Sequence, residues 1–474
     1  MTRARRNPGP GTEARSDARH TALPRPPRLD APHAVAGPLL GLSWIQQEML
    51  DAFRAVGDPA LFVTQIVLPG ADRIDIDRLR ASWRRTGAGF AALRTSLAWA
   101  PDLGFVRVVA AEAEPLGVYT PAAFEAGAPG PPTGPSLEEV MLPWLDRQAP
   151  LAGLFSGRRL ARLDVTRYPP RGTALVLTFN HLALDGCSAS TVLTHLLADL
   201  ADGARTPEPD LPDHLACYGI RSAAAAWPGT ENLADSADAG FWRDLVDSGG
   251  EHRGATPALS RLDLRLSELT SRALLRLARD ARVTAATVLH AACAIAASAA
   301  ACGRPPRMTT AVLLRGLADG DDLVDCLQAE MPFALDLGLG TPVQRLLTDT
   351  QALLAELHYR APGYGAYREW IGADRPSGLY LAVGNFPVPA PPMAQSADAP
   401  FSVERPSAPL SVFAVPAVPF HLQLVRRPAL PGLDAAVTAE CLEHVCARLP
   451  LPTSRVVGDV LASWHMDLDP TRGV

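Results

Sequence analysis

An α/β protein of two lobes is predicted by three observations. Strand-like apolar runs alternate with helix-period segments in both halves of the chain. A nearly continuous apolar run, Thr173 to Asn180, passes through a short turn into a helix-period segment. Hydrophobic residues make up 47% of the 474 residues, enough for a large core.

The elements follow in order. Residues 1–37 are rich in Arg, Pro, Ala and Gly and lack the apolar stretch of a secretory signal; a disordered tail is expected. Ser43 precedes helical apolar spacing through Leu50, as a capping residue would. Leu61 to Leu68 is strand-like, and Ile76 to Leu93 has helical spacing. Gly117 to Ser136 reads as loop, with a helix over Leu137 to Gln148. Pro169, Pro170 and Gly172 introduce the Thr173–Asn180 run, which is expected to be a buried strand. A helix should open at Ser188 and run to about Leu200.

Residues 38–205 thus form the expected first lobe. Residues 206–256 read as a linker with short helices, among them Phe241 to Leu245, and 257–474 form the second lobe. In that lobe Leu262 to Leu266 alternates like a strand, and Ser267 to Ala281 reads as a capped amphipathic helix. Thr284 to Ala301 is apolar and Ala-rich enough to be a buried helix. Further strands are expected at Met308 to Leu314, Pro332 to Leu337, Leu379 to Gly384 and Phe420 to Val425.

Composition narrows the function classes. All 44 basic residues are Arg and the net charge is -6, which argues against a nucleic-acid binder, since that would need a basic face. No apolar run reaches the length of a membrane span, and a cytoplasmic protein is expected. Seven irregularly spaced cysteines in a chain this long are not expected to form a disulfide framework. Cys441, His444 and Cys446 look like part of a metal site, but no second ligand pair accompanies them. Two small apolar residues and a helix His are the simpler reading, and no metal is expected. Cys187, His195, His290, Trp44, Trp242 and Trp370 are read as packing residues. Tyr364 and Tyr367 are left without a role.

The chemistry concentrates at His181-Leu-Ala-Leu-Asp185-Gly186, in the strand-to-helix turn. A neutral imidazole can accept a proton near neutral pH if the turn holds it in one tautomer. Gly186 would let a backbone amide approach a developing oxyanion. Asp185 would hold the shape of the turn, and if buried it needs partners. The plain alternative is a buried, hydrogen-bonded His beside a turn Asp-Gly.

These residues resemble the condensation domains of nonribosomal peptide synthetases, which share a superfamily with chloramphenicol-type acyltransferases. The family's His-His-x-x-x-Asp-Gly is matched from Asn180 to Gly186 except at the first His, where Asn180 stands. Weaker matches occur in the family's order. They are Leu42 to Met49 with its Ser-x-x-Gln, Leu93-Arg94-Thr95, Phe241 to Leu245, Val283 to Ala294, Arg315, and Met331-Pro332. Gly89, Phe90, Ala91, Ala329 and Ala334 depart from the family's pattern.

The resemblance implies two chloramphenicol-acetyltransferase-like lobes in a V-shaped pseudodimer with a central tunnel. His181 would be catalytic, with Gly186 beside it. Asn180 and Asp185 would be structural, and Asp185 would pair with Arg315 or, second, Arg94. The implied substrate arm is a phosphopantetheine thioester, on an acyl or peptidyl carrier protein acting in trans or on coenzyme A, with no bound cofactor. The acceptor is a small-molecule amine or alcohol, so amide and ester products both stay open. A monomer is expected. A condensation-like module that docks partners without catalysis is the remaining alternative.

Overall fold

The computed structural model describes residues 39–100, 104–119, 137–168, 172–202, 260–301, 307–314, 323–371, 378–384, 399–415, 418–427, 433–462 and 464. The expected tail, the 206–256 linker, Phe241 to Leu245, Trp242, Tyr367, Trp370 and Arg315 lie outside the described residues or have undescribed side chains.

In the first half the chain runs β1 (Leu39–Gly41), α1 (Trp44–Val56), β2 (Val63–Pro69), α2 (Ile76–Gly89), β3 (Thr95–Ala100) and β4 (Gly104–Val109). It continues with β5 (Gly117–Tyr119), α3 (Leu137–Gln148), β6 (Ala161–Tyr168), β7 (Gly172–Asn180) and α4 (Gly186–Asp202). The second half begins with β8 (Ser260–Arg265), α5 (Glu268–Ala281), α6 (Ala285–Ala300), β9 (Met308–Leu313), β10 (Gln328–Phe333) and α7 (Val343–Ile371). It ends with β11 (Leu379–Val383), β12 (Phe401–Val403), β13 (Leu410–Val415), β14 (His421–Arg426), α8 (Ala435–Arg448) and α9 (Val457–Leu461).

The strands form a sheet ordered β12-β2-β7-β6-β5, another ordered β10-β9-β11-β13-β14-β8, and a small sheet β1-β4-β3. Each half therefore has its own main sheet, with one exception that matters. β12 comes from the second half and adds antiparallel to β2 of the first, pairing Val403 with Gln65.

β7 shows why its sequence is apolar almost throughout. Strand side chains alternate between faces. Leu175, Leu177 and Phe179 enter the main core, while Ala174 and Val176 enter a second cluster with Leu137, Met141 and Trp144 of α3. Both faces are covered, so both parities must be apolar. The strand order places β7 centrally, between β2 and β6, so its end is held on both sides.

Helix ends follow local chemistry. The Ser43 hydroxyl accepts from the Gln46 amide, and the Gln46 side chain accepts from the Ser43 amide, a complete capping box. Ser267 caps α5 by accepting from Thr270 N. No single described helix is long and apolar enough to cross a membrane; α6 passes that test only together with α5, at a 109° bend. Its apolar surface is accounted for by burial from Val288 to Ala297.

Three expectations need correction. The strand expected at Pro332 to Leu337 lies at Gln328–Phe333 instead. Pro332 looked like a start, but β10 is an edge strand, where a missing N–H is tolerated. The expected helix over Ile76 to Leu93 stops at Gly89 and resumes as a 3-10 turn, Ala91–Arg94. Gly117 to Tyr119 is a short edge strand rather than loop. A Cβ on Gly117 would meet Asp164 Oδ1 at 2.2 Å, so only glycine allows this strand to pair there.

His290 is a core residue, with Nδ1 at 2.8 Å from Ala286 O and Nε2 at 2.8 Å from Thr310 Oγ1. Burial pushes its imidazole down to about 4. The unfolded chain gains that proton from about pH 6.5 downward, the folded chain only near 4. Its contribution to stability is therefore full above pH 6.5 and declines as pH falls, by up to about 1.4 kcal/mol per pH unit. Urea unfolding at pH 7 and pH 5 should show a shallower pH dependence for His290→Gln than for the wild type. Identical slopes would remove this account.

Candidate active site

Asn180, the last residue of β7, is fully buried. Its side-chain amide donates to Leu61 O at 3.0 Å, and its Oδ1 accepts from Leu182 N at 3.0 Å. One side chain thus ties the turn to β2's approach and to itself. Asn has both a donor and an acceptor for this, the two handles a neutral imidazole also has. His181 N donates to Phe62 O at 2.8 Å, and Phe179 meets the ring edge-on at 5.5 Å.

Asp185 is fully buried. Its Oδ1 accepts from Ser188 N at 2.7 Å and its Oδ2 from Leu327 N at 3.0 Å. The first bond caps α4. The second crosses to the other half of the chain. Arg94 donates from Nε to Gly87 O at 2.8 Å and from Nη1 to Ala110 O at 2.6 Å, bracing the end of α2 against the strand β4. The expected partner Arg315 lies outside the described residues.

A second buried carboxylate reinforces this crossing. Asp325 pairs with Arg107 at 2.7 Å, both side chains being almost wholly buried. Its Oδ1 also accepts from Cys326 N at 2.7 Å and from Gln46 Nε2 at 3.2 Å. Gln46 Nε2 reaches Leu182 O as well, at 2.9 Å, and Ser188 Oγ donates to Asp325 O at 2.6 Å. The weak Ser-x-x-Gln match thus falls on a residue that touches the His turn. Arg107 and Asp325 carried no signal, since neither sits in a motif.

The imidazole itself faces a small cavity. Its Nε2 lies 3.0 Å from Thr64 Oγ1 and 3.7 Å from Glu404 Oε2. Thr64 also donates a short hydrogen bond to Glu404. Nδ1 is buried with no hydrogen-bond partner. Glu404 follows β12, so the crossover strand delivers it to β2 beside Thr64. Sequence reasoning missed both residues. Thr64 could have been suspected as a hydroxyl inside an apolar strand; Glu404 gives no local sign.

Gln328, Glu330, Tyr380, Glu404 and Arg405 line the cavity with His181, around about 30 Å³. That volume admits a water-sized group. Gly186 opens α4 and is not among the lining residues. Gln328 Nε2 donates to Tyr380 Oη at 2.7 Å. Burial, with the Glu330 and Glu404 carboxylates adding to it, pushes the Tyr380 phenol well up and keeps it protonated.

Elsewhere the candidates are ordinary. Burial pushes Cys441 up to about 12 and Cys446 well up, so both thiols stay protonated, and His444 Nε2 lies 3.2 Å from Val460 O. His195 stacks edge-on against Phe90, and Trp44 against Tyr364.

Comparison with solved structures places this architecture. The chain is similar to the first condensation domain of the calcium-dependent antibiotic synthetase, solved with a substrate analogue. Identity is 18%, 89% of this chain and 99% of that one are covered, and the TM-score is 0.67. It is similar to the starter condensation domain of rhizomide synthetase, solved with C8-CoA and Leu-SNAC, at 15% identity. There 88% of this chain and 96% of that one are covered, with TM-score 0.67. It is also similar to the X-domain in complex with OxyB from teicoplanin biosynthesis, at 16% identity. There 90% of this chain and 97% of that one are covered, with TM-score 0.62. No family model and no curated protein matches the chain. The chain has the condensation-domain fold.

Asp325→Ala should leave the Arg107 guanidinium buried and unpaired, at a cost of about 3–5 kcal/mol in urea unfolding. The double variant Arg107→Met, Asp325→Leu should be less destabilised than the single. A double variant as unstable as the single would sink this account of the pair.

Proposed function

We propose that the protein is a condensation-domain-type acyltransferase. It moves an acyl group from a phosphopantetheine thioester, on a carrier protein acting in trans or on coenzyme A, to a small-molecule amine. The observation that carries this reading is His181 Nε2 facing a cavity between the two halves of the chain, beside Thr64 and Glu404. The fold, common to structures solved with a substrate analogue and with C8-CoA and Leu-SNAC, supports it.

In this reading the acceptor nitrogen attacks the thioester carbonyl carbon, and His181 Nε2 takes a proton from it. The tetrahedral intermediate collapses, the C–S bond breaks, and the imidazolium returns that proton to the leaving thiolate. No covalent acyl-enzyme is required. An alcohol acceptor would give an ester by the same steps.

Thr64 and Glu404 set the starting state. Thr64 has one hydroxyl proton and gives it to Glu404. Its oxygen is then left to accept from His181 Nε2–H. For Nε2 to act as a base the ring must carry its proton on Nδ1 instead, and the incoming nucleophile must take the place of Thr64 at Nε2. Glu404, 3.7 Å away, stabilises the imidazolium that forms. A cavity of about 30 Å³ cannot hold both substrates, so side chains or the two halves must part to admit them. The V-shaped pair of lobes with a tunnel, expected from the family resemblance, is the arrangement this reading requires.

That small volume also favours a second reading, a docking module without catalysis, as in a complex like that of the X-domain with OxyB. Acyl transfer from a carrier-bound thioester separates the two. His181→Ala should reduce the rate by about 10²–10⁴-fold. Glu404→Gln should reduce kcat with little change in KM for the donor. Equal rates in wild type and His181→Ala, or none in either with a proven partner, would leave the docking role.

A further inference from the structure

A larger cleft, about 490 Å³, opens beside the His181 cavity and shares Arg405 with it. Arg261 of β8, Arg405 after β12 and Arg427 after β14 converge on it, with Asp58 and Asp146. Two of the three cations are spoken for. Arg405 pairs with Asp146 at 2.7 Å, and Arg427 with Asp58 at 2.6 Å. Arg261 is different. Its Nε and Nη2 are buried without a hydrogen-bond partner, as is Arg427 Nη2.

The lining therefore carries one net positive charge and three guanidinium nitrogens without a hydrogen-bond partner. Buried donors left unmade cost free energy, and a guanidinium buried beside another guanidinium costs more. Burial and the neighbouring Arg405 accordingly push Arg261 down, while Asp146, Glu138 and Glu404 offset this from farther away. An oxyanion in the cleft that drew the Arg261 and Arg427 side chains toward it would offer these donors a partner. Guanidinium forks match the oxygens of phosphate in paired hydrogen bonds. The volume suits a phosphate with part of an attached chain.

We propose that Arg261, Arg405 and Arg427 form a binding site for the phosphate ester at the root of the acyl donor's arm. The negative charge of a phosphate ester complements the net positive charge of the lining. Arg405 gives the site a shared wall with the cavity that holds His181, where the thioester would be presented. The donor assignment rests on the acyltransferase reading; the anion site does not.

Calorimetric titration of the full chain with 4′-phosphopantetheine, coenzyme A and pantetheine tests it. The wild type should bind 4′-phosphopantetheine about tenfold or more tighter than pantetheine, which lacks the phosphate. Arg261→Gln, which breaks no observed hydrogen bond, should erase that difference, and Arg261→Lys should restore part of it. Equal affinities for coenzyme A and 4′-phosphopantetheine would fit an arm on a carrier protein. Tighter binding of coenzyme A would fit the free coenzyme. Pantetheine binding as tightly as 4′-phosphopantetheine, an Arg261→Gln variant that keeps the preference, or no binding of either phosphate ligand would each overturn the site. His181→Ala should bind normally. Binding without transfer in the wild type would thus sink the acyltransferase reading and leave the anion site standing.

Discussion

The hydrogen bond from Leu327 N to Asp185 joins the two halves of the chain within the turn that carries His181. A buried carboxylate needs partners, and this one takes an amide from each half. Asp325 repeats the arrangement in the opposite direction, reaching Arg107 and Gln46 of the first half. Neither half alone completes these bonds. The position of the imidazole is therefore a property of the assembled pair, and loosening either carboxylate should loosen the ring before the sheets themselves fail.

The same division of labour recurs at β12. Its pairing with β2 sets Glu404 beside Thr64 and His181, and sends Arg405 to Gln65 and Asp146. Adjacent residues of an extended segment turn in different directions. The segment just after this strand thus supplies both the carboxylate next to the imidazole and a wall of the arginine-lined cleft. In the proposed reading, proton handling and anion binding would be linked through two consecutive residues.

Much of the framework could be read from periodicity. The buried strand ending at Asn180, the capped helices after Ser43 and Ser267 and the apolar helix α6 rest on local patterns, and these formed where expected. The long helix α7 and the hairpin of β3 and β4 were not anticipated; their patterns are less regular. β10 was misplaced because proline punctuates most sequences but is harmless at a sheet edge. Asp185 needed a partner in either account, and the residue type alone favoured an arginine. Two of its partners are backbone amides, which no sequence pattern identifies as donors, while Arg315 lies outside the described residues.

The sequence by itself determined that an imidazole would stand in a strand-to-helix turn, because the apolar run, the Asp-Gly and the helix start are neighbours along the chain. Only the tertiary structure decided which groups meet that imidazole. Thr64 lies 117 positions from His181, and Thr64 and Glu404 lie 340 apart. Sheet pairing, not local preference, closes such distances, and a single added strand decides whether Glu404 faces the imidazole or the solvent.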